Sequence, residues 1–107
     1  MPTIKKSLLL IFVFACSVML MSAGWLTDFS LAKKEARNTN KYMLLCFSGS
    51  DWCIPCIRAK KEIFDKEAFR QYADSNLVLV NADFPRLKKN RLNMQQIREN
   101  EALALQY

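Results

Sequence analysis

Histidine is absent from this 107-residue chain. Its absence removes Ser-His and Cys-His dyads, imidazole general bases and His-containing metal sites in one step. Glycine and proline are scarce, at two and three residues, which argues against an all-β protein crowded with tight turns. No repeat and no low-complexity segment is found, and 51% of the residues are apolar. Disorder, collagen and repeat arrays are thereby excluded. The length allows at most one domain. Sixteen Lys and Arg stand against ten Asp and Glu, a formal charge of +6, and whatever chemistry the chain performs must come from its four cysteines.

Lys5 and Lys6 precede an uncharged stretch from Ser7 to Thr27 whose centre, Leu8 to Met21, is apolar apart from Ser17. This is the charged and apolar pattern of a secretory signal, and Ser22, Ala23 and Gly24 supply the small side chains of a cleavage site. Residues 1–24 are therefore read as a signal peptide cut after Gly24, with Ala23 as the neighbouring site. Two alternatives stay open. The segment is also long enough to remain as an uncleaved membrane anchor, and Val13-Phe14-Ala15-Cys16 is a poor lipidation box with Cys16 as the acylated residue. In each case the two lysines hold the N-terminus in the cytoplasm. The remainder is expected outside it, periplasmic or extracellular, where disulfides persist.

Trp25, Phe29, Ala32 and Ala36 recur at helical spacing with Lys33, Lys34, Glu35 and Arg37 outward, which predicts an amphipathic helix ended by Asn38-Thr39-Asn40. Tyr42 to Phe47 is an apolar run that predicts a strand buried on both faces. Beyond the loop Ser48 to Asp51, helical spacing resumes from Cys53 to Tyr72, with a break near Asp65 that would cap a second helix. Leu77 to Val80 predicts a second strand, followed by a turn at Asp83-Phe84-Pro85. Strand, helix, strand makes a parallel βαβ unit the default. The basic, polar stretch from Arg86 to Asn93 leads into a last helix with Met94, Ile97, Leu103 and Leu105. The basic cluster Arg86, Lys88, Lys89 and Arg91 has no interleaved aromatics and reads as a solvated loop, with no nucleic-acid partner.

The informative segment is Trp52-Cys53-Ile54-Pro55-Cys56, which opens a helix directly after a strand and a short loop. A cysteine at a helix N-terminus meets unpaired backbone N–H groups and the positive end of the helix dipole. In such motifs the thiol pKa falls from about 8.5 to roughly 3.5–7.5, so Cys53 is expected to be substantially ionised near neutrality. Cys56 lies one turn deeper on the same face, within reach of a mixed disulfide made by Cys53. Pro55 suits a first turn, whose N–H groups have no helical partner. Trp52 offers a flat contact surface for a peptide. Zinc is disfavoured because a second cysteine pair is missing and Cys46 would be only a third ligand. A purely structural disulfide is disfavoured, since closing so short a loop removes little entropy.

With these residues the chain resembles the exported thioredoxin-like proteins that carry Ser-Asp-Trp-Cys-x-x-Cys, from Trp25 through the Asn-Leu-Val-Leu-Val strand and the Asp-Phe-Pro turn. The resemblance implies an α/β, thioredoxin-like domain over residues 25–107. It is expected to be truncated after the N-terminal helix-strand-helix-strand-helix portion and so incomplete at the C-terminus. It implies a thiol-disulfide oxidoreductase with Cys53 as attacking and Cys56 as resolving cysteine, and Trp52 and Pro55 shaping the site. No cofactor beyond the Cys53–Cys56 disulfide is implied. Partners would be proteins with disulfides or dithiols and a thiol protein that donates or accepts electrons, with the membrane touched only through the N-terminal segment. Two departures stand out. Cys46 holds the place of the family's buried strand Asp, with Asp51 in a solvated loop nearby, and the family's later half with its cis-proline strand has no counterpart. The rival reading is an inert thioredoxin-like fragment or a non-catalytic interaction module, marginal in stability.

Overall fold

The structure, a computed structural model, describes residues 24–107. The signal, anchor and lipidation readings of the N-terminus, Cys16 included, fall on residues 1–23 and so outside the described residues. Helix α1 (Phe29–Thr39) begins where Asp28, in extended conformation, accepts a hydrogen bond from Leu31 N at 3.1 Å. It ends where Asn40 turns left-handed at φ 54°, a conformation that Asn tolerates better than most residues. Trp25, expected on this helix, precedes it and packs edge-on against Phe64 with ring centroids 5.2 Å apart. Leu26 instead makes a one-residue parallel bridge to Val80, donating to Leu79 O and accepting from Asn81 N, both at 2.8 Å. A single bridging residue has no periodicity, which is why the sequence pattern does not reveal it.

Strand β1 (Tyr42–Ser48) leads to helix α2 (Ile54–Ala59), a π-helical segment Lys60–Phe64, helix α3 (Glu67–Asn76) and strand β2 (Leu77–Asp83). The strands pair in parallel, from Tyr42 opposite Leu77 to Ser48 opposite Asp83, as the strand-helix-strand order predicts. Three expectations need correction. β2 runs three residues past Val80, because Asn81, Ala82 and Asp83 continue the ladder with β1. β1 is not buried on both faces: Tyr42 is 86% exposed, since among the described residues β1 pairs only with β2 and lies at the sheet edge. Asp65 does not cap α3, whose first residue follows Lys66. Its N–H closes the π turn onto Lys60 O, and its carboxylate pairs with Lys60 Nζ at 2.8 Å.

The core forms where α1 lies on the sheet. Ala32, Val78 and Val80 are buried together, ringed by Leu26, Phe29, Ala36, Met43 and Leu45. Strand alternation turns Leu79 to the opposite face, and α3 packs on β2 with Ala73 buried. The short 3-10 turn Lys88–Asn90 precedes helix α4 (Met94–Gln106), capped by Asn93 through Gln96 N at 2.8 Å. This is the last helix expected from the sequence; of its apolar residues Leu103 is buried, whereas Met94 and Leu105 are exposed. The residue that seats α4 is polar. Asn100, 1% exposed, donates to Asp83 O at 3.0 Å and accepts from Gln96 Nε2 at 2.8 Å. Its burial is tolerated because both ends of the amide are bonded. Among the described residues no helix is long and apolar enough to cross a membrane.

Val80 is fully buried between α1 and the sheet. Val80→Ala is expected to lower stability by about 2–3 kcal/mol, through lost burial and the cavity left behind. Ile63→Ala, at a side chain 54% exposed, is expected to cost less than about 1 kcal/mol. Urea titration of the two variants checks the contrast.

Candidate active site

The parallel register brings the C-terminal ends of β1 and β2 to the same edge, and the redox loop is built on that edge. Ser48 Oγ lies 2.8 Å from Asn81 Oδ1 and 3.2 Å from Asp83 Oδ1, so one hydroxyl proton serves two acceptors. Ser50 donates its backbone N–H to Asp83 Oδ1 at 2.9 Å and its hydroxyl to Asp83 Oδ2. Phe84 N closes the other side, donating to Ser48 O at 2.8 Å. The loop then tightens on itself: Trp52 N and Cys53 N both donate to Gly49 O, at 3.2 and 2.8 Å.

Cys53 is the N-cap of α2, extended at φ −86° and ψ 100°, and its Sγ accepts from Cys56 N at 3.3 Å. Pro55 sits in the first turn, where a missing N–H costs no helical bond. Cys53 and Cys56 are joined as a disulfide with their Cα atoms 5.2 Å apart, and both are half-buried. The hydrogen bond from Cys56 N and the aligned peptide dipoles of the helix start act on the Cys53 sulfur. They stabilise it as a thiolate once the pair is reduced.

Trp52 is held rather than free. Its Nε1 donates to Phe84 O at 2.7 Å, and the Arg86 guanidinium lies 3.7 Å from the ring centroid. Gly49, buried beneath it, leaves the space the indole fills, and a Cβ there would run into the ring. The indole still exposes 42% of its surface, beside Ile54 and Ile57, which are also exposed next to the cysteines.

Residues 24–104 match a family model described as thioredoxin-like. The chain belongs to the thioredoxin-like family. It is 33% identical over 80 residues to a disulfide bond reductase, DsbH, of Chlamydia pneumoniae, covering 75% of this chain and 47% of that protein. It is 29% identical over 78 residues to a thioredoxin-related protein, DsbJ, of the same organism, covering 73% of this chain and 22% of that one. The chain thus spans less than half the length of these curated relatives. A solved structure titled DsbH oxidoreductase superposes with a TM-score of 0.70 at 31% identity, covering 82% of this chain and 61% of that one.

Within this thioredoxin-like fold the four residues singled out in the sequence, Trp52, Cys53, Pro55 and Cys56, come together at one loop-helix junction. Cys46 sits inside β1 opposite Asn81 and is half-buried rather than fully buried. Burial raises its thiol pKa, which disfavours the thiolate and separates it from the redox pair. Among the described residues no group of three or more His, Cys, Asp or Glu is placed to hold a metal ion.

Two residues read as parts of solvated loops are structural. Asp51 accepts from Arg86 N at 2.9 Å, Leu87 N at 3.0 Å and Asn90 Nδ2 at 3.2 Å. It therefore ties the redox loop to the segment after β2. Arg86 is laid on Trp52 by that tie. Both contacts join residues more than thirty positions apart, so no local pattern signals them.

The backbone N–H of Arg86 first, then Leu87 and Asn90, holds the Asp51 carboxyl below the usual carboxylate range, outweighing the desolvation that opposes them. Asp51 therefore serves as an ionised acceptor at neutral pH. A depressed folded pKa gives stability that is present above the unfolded value of about 3.9 and is lost as pH falls through the folded one. The stability gap between wild type and Asp51→Ala is thus expected to be full at neutral pH and to close in acid below pH ~3.9. Denaturation midpoints measured across that range check the sign.

Proposed function

We propose that this chain is a thiol-disulfide oxidoreductase that reduces protein disulfides outside the cytoplasm. The observation that carries the reading is the Cys53–Cys56 disulfide set at the start of α2 in a thioredoxin-like fold. Reduction as the direction is supported by the relative named a disulfide bond reductase. Pro55 keeps the proline of reducing thioredoxins at this place in the motif, while Ile54 replaces their glycine.

In the reduced protein the Cys53 thiolate attacks one sulfur of the substrate disulfide. A Cys53–substrate bond forms, and the other substrate sulfur leaves as a thiolate. Cys56 loses its proton to solvent and attacks Cys53 Sγ. The mixed disulfide breaks, the substrate departs as a dithiol, and the Cys53–Cys56 bond is restored. Two electrons pass from the pair to the substrate, and a dithiol electron donor must return them. The redox-active disulfide itself is the electron carrier. Trp52 and Pro55 shape the surface on which the substrate lies.

Export is part of the proposal. Lys5 and Lys6, the apolar run and Ser22-Ala23-Gly24 support a signal removed after Gly24. A reporter active only outside the cytoplasm, fused behind residues 1–40, is expected to be active. Mass spectrometry of the exported chain is expected to find Trp25 first; a silent reporter despite normal synthesis would refute export.

Reduction of a protein disulfide tests the chemistry. Cys53→Ser is expected to fall to background, and Cys56→Ser to accumulate mixed disulfides because attack survives and resolution does not. Alkylation of single-cysteine variants is expected to be faster at Cys53, at the start of α2, than at Cys46, where burial raises the thiol pKa. Faster labelling of Cys46 or Cys56 at neutral pH would overturn the assignment.

A further inference from the structure

We propose that Arg86 is a specificity residue: stacked on Trp52, the residue before Cys53, it favours substrate disulfides flanked by acidic residues. The inference rests on the oxidoreductase reading and adds the chemistry of the substrate to it.

Arg86 is placed before any substrate arrives. Its backbone N–H is held by Asp51 at 2.9 Å, and its guanidinium lies 3.7 Å from the centroid of the Trp52 ring. Trp52 is fixed in turn by Phe84 O and directly precedes Cys53. A guanidinium stacked on an indole keeps its N–H edge available, so it can receive a carboxylate without giving up the stack.

Among the described residues the cation has no ion-pair partner: the ion pairs are Arg58 with Glu62 and Lys60 with Asp65. The two carboxylates of the neighbouring loops are already occupied. Asp51 takes the Arg86 and Leu87 amides and Asn90, while Asp83 takes Ser48, Ser50 and the Phe84 amide. Lys88, Lys89 and Arg91 follow on the same segment and add charge of the same sign. A groove of about 340 Å³ runs along that segment, with Arg86, Lys88 and Arg91 as its cations against Asp83 and Glu101. Next to Cys53 the surface is apolar at Trp52 and Ile54, and the Arg86 guanidinium on the Trp52 ring is the cation set against it. Charge complementarity of this kind acts on encounter and on choice of partner.

The test uses the reduced full chain and two model peptides, each closed by one disulfide, with Glu flanking the cysteines in one and Lys in the other. Each exchange rate constant is divided by that of dithiothreitol on the same peptide, which removes differences in intrinsic reactivity. At low salt the Glu peptide is expected to be favoured by about tenfold. The preference is expected to shrink toward one at about 0.5 M salt. Arg86→Gln is expected to cut the preference several-fold and Arg86→Glu to reverse it. Arg86→Lys, which keeps the charge without the planar stack, is expected to restore part of it. A preference that is absent, or unchanged in Arg86→Gln and Arg86→Glu, overturns the proposal. If the protein is no faster than dithiothreitol on either peptide, the oxidoreductase reading fails, while the ratio and its response to charge still decide the role of Arg86.

Discussion

Because β1 and β2 run parallel and in register up to Ser48 opposite Asp83, both strands deliver their C-terminal ends to one edge of the molecule. Everything at the redox site follows from that coincidence. The loop leaving β1 carries the cysteines, and the loop leaving β2 carries the groups that hold them in place. Asp83 is the junction. Its carboxylate collects the Ser48 and Ser50 hydroxyls and the Ser50 and Phe84 amides, and hydrogen bonds to an ionised acceptor are stronger than neutral ones. Asp51 makes the reciprocal tie, from the cysteine loop to Arg86, Leu87 and Asn90. Two carboxylates thus lace the loops together from opposite sides.

That lacing assigns the acids to architecture and leaves the chemistry to sulfur. Neither Asp51 nor Asp83 has its carboxylate free beside the cysteines, because each is saturated by donors. The Cys53 sulfur is conditioned instead by backbone, through the Cys56 N–H and the start of α2. Cys46 shows the opposite case. It is a cysteine inside a strand, with no helix start and with burial raising its pKa, so its chemical character differs although the side chain is the same. Gly49 serves the site by what it lacks, since the Trp52 indole lies where a side chain would be.

The same edge is stabilised by α4. Asn100 on α4 reaches Asp83 O, and Gln96 links Asn100 to Thr27 O, so a buried amide rather than an apolar stripe fixes the last helix over the end of β2. Leu103 is the apolar residue of α4 that is buried with Asn100, while Met94 and Leu105 are exposed.

What could be read in the chain alone was whatever depends on neighbours in sequence. The apolar runs marked both strands, and helical spacing marked α1, the helical stretch after Cys53 and α4. The five-residue motif Trp52 to Cys56 located the redox pair, because its chemistry depends on a helix start that the preceding loop announces. The tertiary structure decided what depends on pairs distant along the chain. These are the Leu26 bridge to Val80, the exposed edge of β1, the continuation of β2 to Asp83, the Asp51 tie and the Arg86 stack on Trp52. The physical reason is that a loop carboxylate or arginine has the same local signature whether it faces water or a partner thirty residues away. Only the parallel register, by bringing two loops to one edge, determines which of the two it meets.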